Sequence, residues 1–214
     1  MTEFDLIIGN KNLSSWSLRP WLVMTHFDIE FREELIHLDQ PGSRAILKQA
    51  SPSCLVPCLR HKNVSVWESL AICEYLADLF PDKHLWPEDL QIRAHSRAIS
   101  AQMHSGFTAL RETWPMEFCR TNLAVHQGPG VRRDVEKIIH LWEQARSRYG
   151  VKAGGPFLYG DFSIADAMFA PVVSRFKTYG PVEMPPSVEI FYDAVLALPA
   201  MQKWGAGAKL ELNW

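Results

Sequence analysis

Residues 51–69 read SPSCLVPCLRHKNVSVWES and set the local architecture of the first part of the chain. Two short apolar runs, residues 55–59 and 64–67, have the length and composition of β-strands. The polar residues 60–63 between them predict a hairpin connection, so the two strands would be antiparallel. Residues 68–79 then place apolar side chains at helical spacing, which predicts a helix directly after the second strand.

The residues that precede this stretch predict a strand, a helix and a second strand, followed by a short helix from Ser43. Residues 4–8 are short and apolar, residues 16–27 carry apolar side chains in a helical pattern, and residues 31–38 alternate loosely. Two strands separated by a helix are typical of a parallel βαβ unit. Together with the hairpin, this order predicts a mixed α/β sheet with the element order βαβαββα.

The composition changes after this sheet. Residues 81–88 hold two prolines and predict a linker between one domain at residues 1–80 and a second domain at residues 89–214. Strand signals nearly vanish in the second domain, which favours an all-helical bundle. The helical patterns cover residues 89–114, 131–149, 163–179 and 187–198.

The bulk composition excludes several functional classes. The 214 residues carry a formal charge of −2, so there is no general electrostatic attraction to nucleic acid or to an anionic membrane. No apolar run approaches the ~20 residues needed to span a bilayer, and the N-terminus lacks the pattern of a signal peptide. The spacing of the four cysteines predicts neither a metal site nor a disulfide framework. We therefore expect a soluble cytoplasmic protein without a metal.

Two short motifs within residues 51–69 could bind a small polar ligand. A cis bond before Pro57 would explain a proline in this strand and would leave the backbone of Val56 available to an extended peptide. A plain strand-edge proline explains Pro57 nearly as well. The N-terminus of the helix at Ser69 could bind a carboxylate, with Glu68 beside it for an ammonium group. A simple helix cap is an equally good explanation of that pair.

A third polar motif, Ser14-Ser15-Trp16-Ser17, lies at the start of the first predicted helix. Either Ser14 or Ser15 could serve as its N-cap. A serine hydroxyl at this position could instead donate a hydrogen bond to a thiolate. Since the motif holds no cysteine, that thiol would belong to a ligand. The sequence has no Gly-x-Ser-x-Gly motif and no phosphate-binding glycine loop, which disfavours a hydrolase or a nucleotide-binding protein.

These motifs, together with the capping box at residues 163–166, resemble the cytosolic glutathione S-transferases over nearly the whole chain. The run Glu-Ser-x-Ala-Ile-x-x-Tyr-Leu at residues 68–76, after a Val-Pro strand, is the most specific part of the resemblance. The serine motif at residues 14–17 is similar to that of the serine-type classes, and of the zeta class in particular. The resemblance implies a thioredoxin-like N-terminal domain, an all-helical C-terminal domain, glutathione as co-substrate and a homodimer.

The resemblance also implies roles for individual residues. Ser14 would donate to the glutathione thiolate, with Ser15 as the alternative if the register differs by one residue. Val56 would pair with the cysteinyl backbone of glutathione, while Glu68 and Ser69 would hold its γ-glutamyl group. The glutathione-binding residues are thus Leu55, Val56, Pro57, Glu68 and Ser69, and the co-substrate pocket is Met103, His104, Phe107 and Arg111.

Two departures from the family pattern bear on function. Trp16 stands where the zeta motif has a cysteine that contributes to maleylacetoacetate isomerisation. Cys54-Leu55 stands where the family commonly has a polar pair, so His37, Arg44 or Lys48 would have to anchor the glycine carboxylate. We therefore expect a transferase that conjugates glutathione to a small hydrophobic electrophile. The alternatives are a glutathione-dependent isomerase and a non-catalytic binding module of this fold.

Overall fold

The computed structural model describes residues 3–123 and 127–212. Its described strands form one mixed sheet in the order β2-β1-β3-β4. β1 pairs with β2 in parallel and with β3 antiparallel, and β3 pairs antiparallel with β4, as the βαβ unit and the hairpin predicted. The strands are β1 (Phe4–Gly9), β2 (Arg32–Ile36), β3 (Cys58–His61) and β4 (Val64–Trp67).

The sheet is covered on both faces because successive side chains of β1 point to opposite sides. Leu6 and Ile8 belong to the large core that also contains residues of α1 and α3. Ile7 belongs to a smaller cluster that contains Leu47 and Ala50 of α2. These helices are α1 (Ser15–His26), α2 (Ser43–Ala50) and α3 (Ser69–Leu79).

A short 3₁₀ turn, Pro81–Lys83, leads into the helical part of the chain. Nearly every residue of α8 is buried, so this helix forms the centre of the bundle. It packs against α1 on one side and α4 on another. The helices are α4 (Leu90–Ser105), α5 (Thr108–Thr113), α6 (Pro129–Ala145), α7 (Val151–Ala153), α8 (Ile164–Tyr179), α9 (Pro186–Ala197) and α10 (Pro199–Glu211), and a π-turn, Arg146–Gly150, joins α6 to α7.

The single long helix predicted for residues 89–114 is wrong. The chain leaves the helical conformation at Gly106, and Phe107 adopts a positive φ of 58° before α5 begins. Met103 and Leu110 lie on either side of this break, yet both are fully buried in the same core. Their spacing therefore continues a helical pattern through the break, which explains the incorrect prediction.

Two further element predictions also need correction. The first hairpin strand begins at Cys58 rather than Leu55, because Cys54 has a positive φ of 57° and the peptide bond before Pro57 is cis. No helix was predicted after residue 198, whereas α10 extends to Glu211. Glycines at 205 and 207 weaken its sequence pattern, and α10 is stabilised by burial of side chains such as Trp204. The predicted fold class, a thioredoxin-like domain followed by a helical domain, is confirmed.

The capping box at the start of α8 is present. The Ser163 backbone N–H and hydroxyl donate to one Asp166 oxygen, at 2.7 and 2.8 Å, and the Leu158 N–H donates to the other at 2.9 Å. Burial raises the pKa of Asp166 to about 6, although these donors act in the opposite direction. The motif joins the loop before α8 to the helix and is structural, as expected.

Candidate active site

A small cleft of about 210 Å³ lies between the loop before β3 and the first turns of α1 and α3. The cis peptide bond expected before Pro57 is present. Among the described residues, no other backbone group pairs with the N–H or the C=O of Val56. This backbone is therefore available to an extended ligand in the cleft. The lining residues are Trp16, Ser53, Leu55, Val56, Pro57, Glu68 and Ser69.

The start of α3 forms one end of the cleft. Glu68 is the N-cap residue of α3 and has a positive φ of 68°, a conformation that is unfavourable for a residue with a side chain. Ser69 is buried as the first residue of the helix, where backbone N–H groups lack intrahelical partners. The half-exposed Glu68 carboxylate lies 3.3 Å from Nε2 of His104 on α4. A carboxylate and a set of free helix N–H groups thus lie side by side.

The two candidate serines at the start of α1 have different hydrogen-bond partners. Ser14, one of the two predicted candidates, is the N-cap, and its oxygen accepts from the Ser17 N–H at 3.3 Å. Its hydroxyl donates to Ser17 Oγ at 2.7 Å, and that oxygen also accepts from the Gly9 N–H at 3.1 Å. The hydroxyl hydrogen of Ser14 is therefore engaged within the loop that leads into α1.

Ser15 is connected to the helical domain instead. Its Oγ accepts a hydrogen bond from Nη2 of Arg175, on α8, at 3.3 Å. The same guanidinium donates to the carbonyl of Trp114 at 2.7 Å and to that of Pro171 at 3.2 Å. Because the Ser15 oxygen acts here as an acceptor, its hydroxyl hydrogen remains available to another partner.

A second buried arginine approaches the site from α1. The guanidinium of Arg19 donates to the Met168 carbonyl at 3.1 Å and to Ser69 Oγ at 3.4 Å. In the described part of the chain, neither Arg19 nor Arg175 forms an ion pair with a carboxylate. Burial is the main cause that lowers their pKa values, to about 9 for Arg19 and about 10 for Arg175, and neighbouring guanidinium groups add to the effect. The site is consequently electropositive.

The indole of Trp16 lines the cleft and packs against two guanidinium groups. The Arg19 guanidinium carbon lies 4.3 Å from the indole centroid, and that of Arg111 lies 5.5 Å away. The imidazole of His104 meets the indole edge-on at 5.3 Å between ring centroids. Two cations and an edge-on ring hold the indole in place, so Trp16 is a fixed wall of the cleft.

The comparisons with known proteins agree with this geometry. Residues 13–79 match the family model described as the glutathione S-transferase N-terminal domain. This stretch of the chain therefore carries the glutathione S-transferase N-terminal domain. The maleylacetoacetate isomerase of Rattus norvegicus is 29% identical over 200 residues, which cover 90% of this chain and 87% of the rat protein. Glutathione S-transferase L1 of Arabidopsis thaliana is 25% identical over 188 residues, or 87% of this chain and 70% of the plant protein.

Solved structures of glutathione transferases share the whole fold. A glutathione transferase homolog from Burkholderia, crystallised with bound glutathione, superposes with a TM-score of 0.72 at 23% identity, covering 96% of this chain and 98% of its own. An unclassified glutathione S-transferase from Bombyx mori superposes with a TM-score of 0.74 at 20% identity, covering 97% and 94%. At these identities the likeness concerns the fold.

The four predicted co-substrate residues occupy two different environments. Met103 and Phe107 are buried in the main core. His104 and Arg111 lie beside Trp16, and the Arg111 guanidinium also donates to the carbonyls of Met103 and Gly106 at the end of α4. Of the four, His104 and Arg111 are therefore the residues that the fold brings close to the cleft.

The three residues that were expected to anchor the glycine carboxylate do not line the cleft. His37 Nδ1 lies 3.1 Å from the Asn10 side-chain amide, while Arg44 and Lys48 are exposed on α2. None of these three is among the residues that line the cleft, whereas Ser53 is. Ser53 was not among the predicted site residues. A serine in a Ser-Pro-Ser loop resembles an ordinary turn residue, so the sequence contains no clear signal for this position.

Arg19 and Arg175 were also absent from the predicted site. Arginine on a helix is usually exposed, and no local pattern marks Arg19 and Arg175 as buried. Within residues 3–123 and 127–212, none of the helices has the length and apolar character that a membrane span requires. The same residues contain no group of three or more His, Cys, Asp or Glu side chains arranged to hold a metal ion.

Proposed function

We propose that this protein is a glutathione transferase that joins the glutathione sulfur to a small electrophile. The observation that carries the proposal is the cleft itself, where an unpaired Val56 backbone faces the Glu68-Ser69 start of α3. An extended γ-glutamyl tripeptide has complementary groups. Its peptide backbone would pair with Val56, its α-carboxylate would accept from the N–H groups at Ser69, and its ammonium group would face Glu68.

We further propose that Ser15, rather than Ser14, donates to the thiolate of bound glutathione. The Ser14 hydroxyl already donates to Ser17, whereas the Ser15 oxygen accepts from Arg175 and keeps its hydrogen for another partner. The Arg175 contact also polarises the Ser15 O–H bond, which makes it a stronger donor to an anion. Ser14 would then be the helix cap, and it remains the alternative donor because hydroxyl groups can rotate.

The electropositive surroundings would supply the rest of the thiolate stabilisation. Arg19 and Arg175 carry buried positive charge beside Ser69 and Ser15, with no described carboxylate to neutralise it. A positive field favours the ionised thiol, and one pKa unit corresponds to ~1.4 kcal/mol. The sulfur lone pair of the thiolate would attack the electrophilic carbon. A new C–S bond then forms while the leaving group departs with its electron pair.

The decisive experiment compares Ser15→Ala with Ser14→Ala in the conjugation of glutathione to 1-chloro-2,4-dinitrobenzene. We expect Ser15→Ala to lower kcat/KM ~10- to 100-fold, because one hydrogen bond to a charged acceptor contributes ~1.5–3 kcal/mol. The thiolate absorbance of bound glutathione should titrate at higher pH in that variant. Ser14→Ala should lose ~0.5–2 kcal/mol of stability through its cap and keep most of the turnover. Equal activity of Ser15→Ala and wild type would remove Ser15 from the mechanism.

A second candidate function is the glutathione-dependent isomerisation of an acidic dienone. Two observations favour it. Arg111 stands beside the cleft, and a relative at 29% identity is named maleylacetoacetate isomerase. Trp16, where the zeta pattern has cysteine, weighs against it. Isomerisation of maleylacetone that is lost in Arg111→Ala would support this function, and absence of isomerisation in the wild type would exclude it.

The alternative of a non-catalytic binding module can be tested as well. A non-catalytic binding module would be retained on immobilised glutathione without conjugating any electrophile, so retention and turnover must be measured together.

We also propose a cytoplasmic homodimer. The exposed apolar side chains of Val64 and Trp67 on the edge strand β4 support an interface there. Trp67→Glu should then lower the molar mass measured by sedimentation.

A further inference from the structure

Helix α10, at the C-terminal end of the described chain, contacts the loop that leads into the serine motif. This loop, residues 10–13, connects β1 to Ser14, and its Lys11 is buried although it carries a charge. The carboxylate of Glu211 accepts a hydrogen bond from the Lys11 backbone N–H at 2.7 Å. Trp204 donates from Nε1 to the Lys11 carbonyl at 2.8 Å. Both backbone groups of Lys11 are therefore bonded to side chains of α10.

The side chain of Lys11 is enclosed by the same helix. Its ammonium group pairs with Glu33 of β2 and lies 3.8 Å from Oε1 of Glu211. A Cβ atom added at Gly207 of α10 would meet Lys11 Cδ at 2.7 Å. Glycine inside a helix is unfavourable relative to alanine. The close approach of the Lys11 side chain therefore explains a glycine at this position of α10.

Stability alone does not account for the contact between Lys11 and Glu211. Burial raises the pKa of the Glu211 carboxyl, and the backbone N–H and ammonium group of Lys11 only partly offset this. Among the described residues, Oε1 of Glu211 has no hydrogen-bond partner. Apolar replacements of a buried ion pair are often neutral or stabilising, so such a pair is weak evidence for a role in stability. What the contact does provide is a fixed position for the loop.

The remainder of the loop is bonded to a second segment and to the serine motif. The Phe118 and Cys119 N–H groups donate to the backbone and side-chain oxygens of Asn12, at 3.0 and 2.9 Å. At the end of the loop, the Ser15 N–H donates to the Leu13 carbonyl at 3.0 Å. The position of the loop is thus transmitted through one hydrogen bond to the backbone of Ser15.

We propose that Lys11 and Glu211 are positioning residues for Ser15, and that their contact sets the distance between the Ser15 hydroxyl and the sulfur of bound glutathione. This inference rests on the proposed transferase function. A displacement of about 1 Å at a reacting group can cost ~100-fold in rate. The contact acts on turnover rather than on glutathione affinity, because the peptide-binding groups at residues 55–57 and 68–69 belong to other segments.

The test measures kcat and KM for the conjugation of glutathione to 1-chloro-2,4-dinitrobenzene, together with the pKa of the bound thiol from its thiolate absorbance. Glu211→Ala should lower kcat ~3- to 10-fold, raise the thiol pKa by ~0.5–1 and leave the KM for glutathione within ~2-fold of the wild type. Glu211→Gln should recover most of kcat, because its amide oxygen can still accept from the Lys11 N–H. Wild-type kcat and thiol pKa in Glu211→Ala would overturn the proposal.

Two further variants separate positioning from a general loosening of α10. Met201→Ala is the matched control, because Met201 is buried in α10 and its side chain forms no hydrogen bond with the loop among the described residues. It should lower the thermal unfolding temperature and leave the thiol pKa unchanged. Gly207→Ala keeps Glu211 but displaces the Lys11 side chain, so it should raise the thiol pKa. An equal rise in Met201→Ala would overturn the proposal.

The proposed function and this inference can fail separately. Absence of glutathione conjugation by the wild type would refute both, since no reaction would then remain for Ser15 to serve. Conjugation by the wild type that is unaltered in Glu211→Ala would refute the positioning role alone. Thermal unfolding verifies that each variant is folded.

Discussion

The two faces of the cleft are built by different means. On the thioredoxin-like face, Val56 offers backbone groups and the Glu68-Ser69 turn offers helix N–H groups and a carboxylate. On the helical face, charged side chains come from separate helices: Arg175 of α8 donates to Ser15, which precedes the cleft-lining Trp16. One face is thus made by short contiguous motifs and the other by residues distant in sequence.

This difference separates ligand recognition from tuning of reactivity. Backbone groups recognise the peptide part of a ligand and leave little for a side-chain substitution to remove. The buried guanidinium groups contribute charge, and Arg19 of α1 and Arg175 of α8 retain it although burial lowers their pKa values. Substitution of these arginines should therefore change stability and thiol ionisation together, while substitution of Glu68 should change glutathione affinity alone.

The largest effect is expected for Arg175→Met. This change removes the donor to the carbonyls of Trp114 and Pro171 and to Ser15, so it leaves buried acceptors without partners. We expect a loss of ~2–4 kcal/mol in the free energy of unfolding, measured by urea denaturation, and a higher thiol pKa in the glutathione complex. Arg175→Lys should recover part of the stability. A stability within ~0.5 kcal/mol of the wild type would mean that desolvation of the guanidinium cancels its hydrogen bonds.

A smaller effect is expected for Trp16→Ala, which removes the wall between the two faces. The variant loses the contacts of the indole with Arg19, Arg111 and His104, and we expect ~1–2 kcal/mol of lost stability. The cleft should also accept bulkier electrophiles, seen as a lower KM for large substrates than for small ones. Trp16→Cys, which restores the zeta pattern, is the informative companion variant. Unchanged selectivity in Trp16→Ala would place the electrophile elsewhere.

Glu68→Gln should separate recognition from stability. The substitution keeps the shape of the side chain but removes the charge that faces the ligand ammonium group, so glutathione affinity should fall ~10-fold in calorimetry. Stability should change by less than ~0.5 kcal/mol, because the Glu68 carboxylate is half exposed and pairs only with His104 among the described residues. Unchanged affinity would show that Glu68 does not contact the γ-glutamyl group.

The smallest effect concerns the pH dependence contributed by His104. Burial and, next, the charge of Arg19 lower the pKa of His104, and Glu68 only partly offsets this. The unfolded chain then takes up a proton near pH ~6.5 before the folded chain does, so stability falls as the pH decreases below that value. His104→Gln should reduce this acid-induced loss by less than ~1 kcal/mol in urea unfolding between about pH 8 and about pH 5. His26→Gln is the control, because burial also lowers the pKa of His26 and this histidine lies on another surface.

The difference between contiguous motifs and residues distant in sequence also explains which parts of the site could be predicted. Val56-Pro57 and Glu68-Ser69 could be selected from the sequence because each motif lies at the junction of two local elements, and they line one cleft. The order of strands followed from local patterns as well. Arg19 was not selected, because its burial depends on α8, whose Met168 accepts from it 149 residues later in the sequence. The break at Gly106 was missed because the core pattern continues across it.

The sequence alone was sufficient to determine the α/β domain, the helical domain and the position of the polar cleft between strand and helix. These features arise from interactions among residues close in the chain, whose spacing is written in the sequence. The tertiary structure decided which serine keeps a free hydroxyl hydrogen, since the Ser15 oxygen meets Arg175 only after α1 packs on α8. It also decided that Trp16 forms a wall of the cleft, because its contacts with Arg111 and His104 depend on helix packing, which brings together residues that no local spacing relates.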